Sequence, residues 1–373
     1  MKIMEMFFPR PRLAAALLGI LTTLIVLYLL NTSNKDVYIN ILEPGTYRNN
    51  DKNIKFEIFF DIKNFHYILN ARKCENNTKI NALIIVTSYF GNVETRSAMR
   101  RAFSEEDLKQ INLKRVFLLG VAPSDQYTRQ VSVQNENKRF GDIIQGNFIE
   151  AYRNLTYKHV MGLRWAAQNC FNVDFIIKMD DDTVVNVEQL PKLLKSLKTP
   201  KSQNFIAGYV LRNMLAIREP ANKWYVTQDE YSLPMYPTFV SGWFYITNPN
   251  TAEKIYKLSQ ITKYFWIDDT FVSGILAQKL KVKHYDISKY YAEHSEYMEC
   301  CLDDIRSKNL NCDVLVGPNG GNNNLFYEFN NAVGICNLHL CKNRTKPLKE
   351  TCVAKKFVHL GRGKPQVHNY KLH

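Results

Sequence analysis

From about Ile80 onward, short and almost wholly apolar runs alternate with stretches in which apolar residues recur every three or four positions. Ala82 to Thr87, Arg115 to Gly120 and Phe175 to Met179 are runs of the first kind and predict strands buried on both faces. Phe140 to Ile144 is a shorter strand candidate leading into Phe148 to Tyr152. Helices are predicted from near Glu94, over Thr156 to Cys170, Val187 to Leu197, Thr251 to Leu258 and Ile275 to Leu280. On the second of these, Val160, Leu163, Trp165 and Ala166 or Ala167 form the inner side. Asn186 is placed to cap the Val187 helix, which carries Pro191 near its first turn. Phe205 to Val210 and Lys223 to Val226 predict further strands. Strand and helix in alternation predict an α/β fold, a Rossmann-like mixed sheet with helices on both faces.

Leu13 to Leu30 is an uncharged run of 18 residues preceded by Lys2, Arg10 and Arg12. It is just long enough to cross a hydrocarbon core, and the basic flank predicts that everything after it lies on the luminal or external side. Small residues in a cleavage pattern are missing after Leu30, so a signal anchor of type II is expected rather than a cleaved leader. The expected organisation is a cytoplasmic tail (1–12), an anchor (13–30), an Asn-rich stem (31–79), a catalytic domain (80–299) and a cysteine-rich extension (300–373). Phe56 to Phe60 and Phe65 to Leu69 are the parts of the stem able to pack on the domain.

Eight cysteines in a luminal chain predict disulfides. Six of them, from Cys300 to Cys352, crowd the carboxyl-terminal region; their pairing is not readable, and a zinc site with His339 or His359 lacks the short Cys-x-x-Cys spacing. Asn-x-Ser/Thr triplets at Asn76, Asn154 and Asn343 are expected surface glycosylation sites, while Asn31 adjoins the apolar run. The net charge of +14 raises nucleic acid as a partner. Its charges are scattered, without interleaved aromatics, and the anchor removes the chain from nucleic acid.

The chemistry concentrates where the Phe175 strand ends. Asp180, Asp181 and Asp182 fall at its carboxyl edge, where open α/β sheets hold ligands, and their mutual repulsion suits Mg²⁺ or Mn²⁺ better than Zn²⁺. A solvated acidic turn is the plain alternative. Arg96 and Arg100 share one helix face near a strand end, a place to meet a diphosphate or simply water. Gly242 permits close approach of a ligand, and Trp243 or Tyr245 could face a sugar ring, with core packing the plainer reading for Phe244 and Tyr245. Asp268 and Asp269 head a helix, where one serves as a cap or a catalytic base. Neither a Gly-x-Gly-x-x-Gly nor a Walker A sequence occurs.

Taken in order, these elements resemble the β1,3-glycosyltransferase family over residues 80 to 300. The resemblance is carried by Arg96-Ser-Ala-Met-Arg-Arg-Ala-Phe103, Phe117 to Gly120, Asp142 to Ile144, Phe148 to Lys158, Lys178-Met-Asp-Asp-Asp182, Lys223 to Val226, Tyr236-Pro237, Ser241-Gly242 and Asp268-Asp269. Ala102, Phe103 and Ser273 depart from the family pattern. Such a resemblance implies a GT-A fold, a UDP-sugar donor, a glycan acceptor, Mn²⁺, inversion at the anomeric carbon and residence in the Golgi membrane. It implies Asp182 as metal ligand, with His294 or, alternatively, His284 completing the shell. Lys178, Asp180, Asp181, Arg96 and Arg100 fall on the donor side, Gly242 and Trp243 on the acceptor side. Asp269 is the implied base, with Asp268 beside it. Galactose is the expected sugar, N-acetylglucosamine or N-acetylgalactosamine the alternatives. A glycan-binding domain without turnover is the reading of another class.

Overall fold

The computed structural model describes residues 57–71, 73–74, 80–123, 129–170, 172–197 and 203–352. The 13–30 run and Asn76 lie outside the described residues, among which no helix is long and apolar enough to cross a membrane.

Three short strands come first: β1 (Glu57–Phe59), β2 (Ile62–Phe65) and β3 (Tyr67–Leu69). The alternating part follows with β4 (Ile80–Thr87), α1 (Val93–Ala102), α2 (Glu105–Gln110), β5 (Leu113–Val121), α3 (Gln130–Phe140) and β6 (Ile143–Ile149). Next come α4 (Leu155–Asn169), β7 (Val173–Asp180), β8 (Thr183–Val185), α5 (Leu190–Ser196), β9 (Phe205–Leu211) and β10 (Phe239–Thr247). After α6 (Pro249–Ser259), a wide-turned π-helical segment (Thr270–Leu276) runs into α7 (Ala277–Lys279) and β11 (Lys283–Asp286). The chain closes with α8 (Ser295–Lys308), β12 (Val316–Pro318), α9 (Asn324–Leu338) and α10 (Leu348–Thr351).

Eight strands make one sheet in the order β11-β9-β10-β7-β4-β5-β6-β3. β4 is parallel to both β5 and β7, whereas β10 runs antiparallel between β7 and β9. The apolar run from Ala82 to Val86 in β4 has a direct cause: Ala82, Ile84 and Val86 enter one core cluster, Leu83 and Ile85 the other. Side chains alternate across a strand, so a strand covered on both faces is apolar at most successive positions. Each such side chain fully buried contributes about 1.5–3 kcal/mol. The first face is covered by α1, α5, α8 and α9, the second by α4, α6 and the π-helical segment. Because β5 lies on one side of β4 and β7 on the other, the connections diverge there and open a crevice at their carboxyl ends.

Three expected boundaries change. The folded part begins before residue 80: β3 pairs with β6 as an edge strand, and buried Phe59 and Phe65 belong to the second core cluster. Residues from 300 are no separate extension, because α8 spans that position and Cys301, Leu302, Phe326 and Phe329 sit in the same cluster as β4. Lys223 to Val226 is not a strand. Arg218 donates to the carbonyls of Val226, Thr227, Tyr231 and Leu233 and so organises the β9–β10 connection as a side-chain-centred loop.

All eight cysteines are bridged: Cys74–Cys170, Cys300–Cys352, Cys301–Cys312 and Cys336–Cys341. This removes the thiols a zinc site would use. Cys74–Cys170, a bridge of sequence separation 96, ties the start of the sheet to the end of α4.

Candidate active site

Thr87 and Asp180 are register partners at the carboxyl ends of β4 and β7, so the acidic triplet opens into the crevice between them. The three carboxylates have different surroundings. Asp181 is buried and accepts from Ser88 Oγ at 2.7 Å and Asn92 Nδ2 at 3.0 Å, which makes it part of the scaffold. Asp180 accepts at 2.6 Å from the ammonium of Lys178, two residues earlier on the strand and only 2% exposed. Burial pushes Asp180 up against the opposing pull of Lys178. Asp182 is exposed as a residue, with its chain fixed by the Asn319 N–H to its carbonyl at 2.7 Å. Its carboxyl is pushed up to about 6 by desolvation and by the charges of Asp180 and Asp181. A carboxylate made uncomfortable by its neighbours and left open to solvent is a fitting oxygen ligand for a hard divalent cation.

Lys178 also donates to the carbonyl of Gly242, and the N–H of Gly242 donates to Asp269 Oδ2 at 3.3 Å. The second acidic pair, far along the chain, is thereby joined to the first through one lysine and one peptide unit. A Cβ on Gly242 would stand 2.9 Å from Asp269 Cβ. Glycine here is required by space, and the near neighbour is the side chain that the family resemblance makes the base.

Asp269 caps the π-helical segment, accepting from Thr270 N at 2.7 Å. Burial and the adjacent Asp268 push its carboxyl up to about 7. Asp268 goes the other way: a hydrogen bond from His159 and the charge of Lys178 overcome burial and hold it low. Two neighbouring carboxyls driven apart in this manner are what acid–base chemistry near neutral pH requires. Ser273, standing where the family has Gly, is absorbed locally: Val240 N donates to its hydroxyl at 2.8 Å, and that hydroxyl lies 2.7 Å from the Asp269 carbonyl.

Arg96 and Arg100 are neither a solvated face nor free for a diphosphate. Every N–H of the Arg96 guanidinium is used: Nε and Nη2 on Glu136, Nη1 on Ser88 Oγ and the Tyr89 carbonyl, and Nη2 again on the Phe90 carbonyl. Arg100 pairs with Glu136 and bidentately with Asp142, its guanidinium 4.1 Å from the Phe140 ring centroid. Two arginines and two carboxylates form a balanced buried network under the loop that bonds Asp181. Lys158, also buried, braces the same loop through the Ser88 carbonyl and Glu150.

His294 is exposed at the head of α8, with its ring 6.3 Å from that of Tyr297. His284 lies on edge strand β11 and its Nε2 faces the Ser273 carbonyl at 2.8 Å, away from the triplet. Among the described residues, no three His, Cys, Asp or Glu side chains are grouped to hold a metal ion by themselves. Trp243 is half-buried and packs edge-on against Tyr291 at 4.9 Å. Asn154 is not a free surface amide: its Nδ2 donates to the Ile149 carbonyl at 2.8 Å, and the triplet's Thr156 hydroxyl is buried on the Phe265 carbonyl. Asn343 is exposed.

With this geometry in view, comparison with known proteins is decisive for the family. The family model described as Galactosyltransferase matches residues 94–288, more than half of the chain. The chain belongs to the galactosyltransferase family. Beta-1,3-galactosyltransferase 2 of Mus musculus is 35% identical over 220 residues, covering 58% of this chain and 52% of that protein. Beta-1,3-galactosyltransferase 5 of Homo sapiens is 35% identical over 202 residues, covering 54% and 64%. Beta-1,3-galactosyltransferase 1 of Mus musculus is 35% identical over 239 residues, covering 63% and 72%. The matched part thus spans roughly half to two thirds of the length of the first two. Among solved structures, galactosyltransferase LgtC in complex with donor and acceptor sugar analogs aligns over 68% of this chain at 10% identity, with a TM-score of 0.35.

The matched span holds the triplet and Asp268-Asp269 as well as a residue that sequence reasoning missed. His159, buried on α4, bonds Asp268 through Nδ1 at 2.7 Å and the Tyr245 hydroxyl through Nε2 at 2.6 Å. It follows Lys158 on a helix that also carries Thr156 and Arg164, and nothing in the sequence marks it.

Proposed function

We propose that this protein transfers galactose from UDP-galactose to a hydroxyl of a glycan acceptor, the 3-hydroxyl, by a single inverting displacement on a GT-A fold. The observation that carries this reading is the convergence of two separate carboxylate clusters on Lys178 and Gly242 at the sheet's switch point. Family membership and the names of the relatives make galactose the first choice of sugar. The expected anchor at 13–30 supports a luminal catalytic domain, and the family resemblance supports the Golgi as its compartment.

Asp182 would hold Mn²⁺, with His294 the protein's second candidate ligand. When bound, the ion supplies charge neutralisation for the departing UDP. Asp180, half-exposed beside Lys178, faces the donor, while Asp181 fixes the loop. Asp269 takes the proton from the acceptor hydroxyl as that oxygen forms its bond to the anomeric carbon and the bond from that carbon to the UDP oxygen breaks. The proton ends on Asp269, and UDP leaves.

The test is a donor screen: full-length protein in detergent, each UDP-sugar, Mn²⁺ or chelator, and galactose-, N-acetylglucosamine- and mannose-terminated acceptors. Turnover of UDP-galactose to a β1,3 product, abolished by chelator and by Asp182→Asn, is expected. Turnover of UDP-N-acetylglucosamine or UDP-N-acetylgalactosamine instead would change the donor. Acceptor binding without UDP release from any donor would replace the enzyme with a glycan-binding domain.

A further inference from the structure

His159 sits wholly inside the protein with both ring nitrogens engaged, which is an expensive arrangement for a helix position that leucine would fill. Burial lowers its affinity for a proton against the opposing pull of Asp268. A neutral imidazole has one donor and one acceptor, and an ionised carboxylate can only accept. Nδ1 therefore carries the hydrogen toward Asp268, and Nε2 accepts from the Tyr245 hydroxyl, whose own ionisation burial suppresses. The three residues form a line of fixed polarity: Tyr245 to His159 to Asp268.

Each member comes from a different element. Tyr245 lies on β10 three residues after Gly242, which donates to Asp269, and it is the register partner of Lys178. His159 lies one helical turn after Thr156, whose hydroxyl donates at 2.7 Å to the Phe265 carbonyl. The same face of α4 thus holds the loop before Asp269 at two points, one on its backbone and one on the Asp268 carboxylate. Core satisfaction alone does not account for this convergence, because both ends of the line touch residues adjoining the two carboxylate clusters.

We propose that Tyr245, His159 and Asp268 are a positioning relay: His159 clamps the Asp268 carboxylate in place, so that Asp269 rather than Asp268 takes the acceptor proton. This rests on the reading of Asp269 as base. His159 does not touch substrate; it acts through Asp268.

The decisive comparison is His159→Asn against His159→Gln in the full-length enzyme. The Asn amide nitrogen lies where Nδ1 is and keeps the bond to Asp268, whereas the Gln amide reaches toward Tyr245 and gives up Asp268. Expected are a kcat within about 5-fold of wild type for Asn and a fall of about 30–100-fold for Gln, with the donor KM within about 2-fold in both. Tyr245→Phe, which leaves the clamp on Asp268, is expected to cost less than about 5-fold. Equal kcat for the Asn and Gln variants, or losses in both that follow donor KM and thermal stability, would overturn the relay and leave His159 a packing residue. Asp269→Asn, run alongside, separates the two claims. If it is inactive while His159→Gln is unimpaired, the relay alone is wrong. If it is active, the base assignment has failed, whatever the His159 variants do.

Discussion

Replacing Gly242 by alanine perturbs the base without touching its chemistry. Gly242 does not have a positive φ, so an added methyl brings no backbone strain, and the effect comes from space alone. That methyl would begin 2.9 Å from Asp269 Cβ, whereas ordinary carbon–carbon contact lies at about 3.5–4.0 Å. The two must therefore separate by roughly 0.6–1.1 Å. Asp269 is held by its cap to Thr270 N and by the π-helical segment behind it, so the β10 backbone and the Asp269 side chain share the displacement. Both movements lengthen the 3.3 Å contact from Gly242 N to Asp269 Oδ2. A displacement of this size at a catalytic group costs on the order of 10²-fold in rate, and overpacking lowers stability by about 1–3 kcal/mol. Donor affinity should change little, because Asp180 and Asp182 are not in the path of the methyl. Initial-rate transfer assays with calorimetric donor titration read both quantities. A Gly242→Ala enzyme with kcat within about 3-fold of wild type would show that Asp269 is not at the reacting centre.

Glu136→Gln leaves Arg96, fully buried, and Arg100 short of one negative charge, and should cost about 3–5 kcal/mol by urea unfolding; a loss under about 1 kcal/mol would mean the network is not buried as described. Because Asp269 is pushed up to about 7, its basic form is lost as pH falls through that value, so kcat/KM at saturating Mn²⁺ should rise about tenfold per pH unit below 7 and level off above it. A profile flat from pH 5.5 to 8 would exclude a base with that affinity. Non-reducing peptide mapping should recover Cys74–Cys170, Cys300–Cys352, Cys301–Cys312 and Cys336–Cys341; free thiols at any of these positions would contradict the bridges.

What the sequence makes legible follows the range of the interactions. β4 and β7 are readable because strands buried on both faces are mostly apolar, with Lys178 the buried exception, and the triplet is readable because such a strand aims it. The disposition of Arg96 and Arg100 is not, since their partners Glu136 and Asp142 lie some 40 residues on and only the fold brings them close. β1 to β3 are short strands in an Asn-rich stretch without strong periodicity, and their burial depends on surfaces supplied by the rest of the chain. Cysteine pairing is likewise set by the packing of α8 and α10 rather than by spacing. His159 was hidden for a related reason: a single histidine beside Lys158 on a helix has no spacing that marks it until Tyr245 and Asp268 are seen at either end of it.

The most direct measurement is the paired substitution of the second acidic cluster. Asp269→Asn should keep near-normal UDP-galactose and Mn²⁺ binding by calorimetry while kcat falls by on the order of 10²–10⁴-fold. Asp268→Asn, which removes the charge held by His159 but leaves the carboxylate that takes the proton, should retain more activity than Asp269→Asn. If Asp269→Asn keeps more than about a tenth of wild-type turnover while Asp268→Asn is nearly dead, the two roles are exchanged; if both remain active, the base lies elsewhere and the pair serves only as the head of the helix that follows.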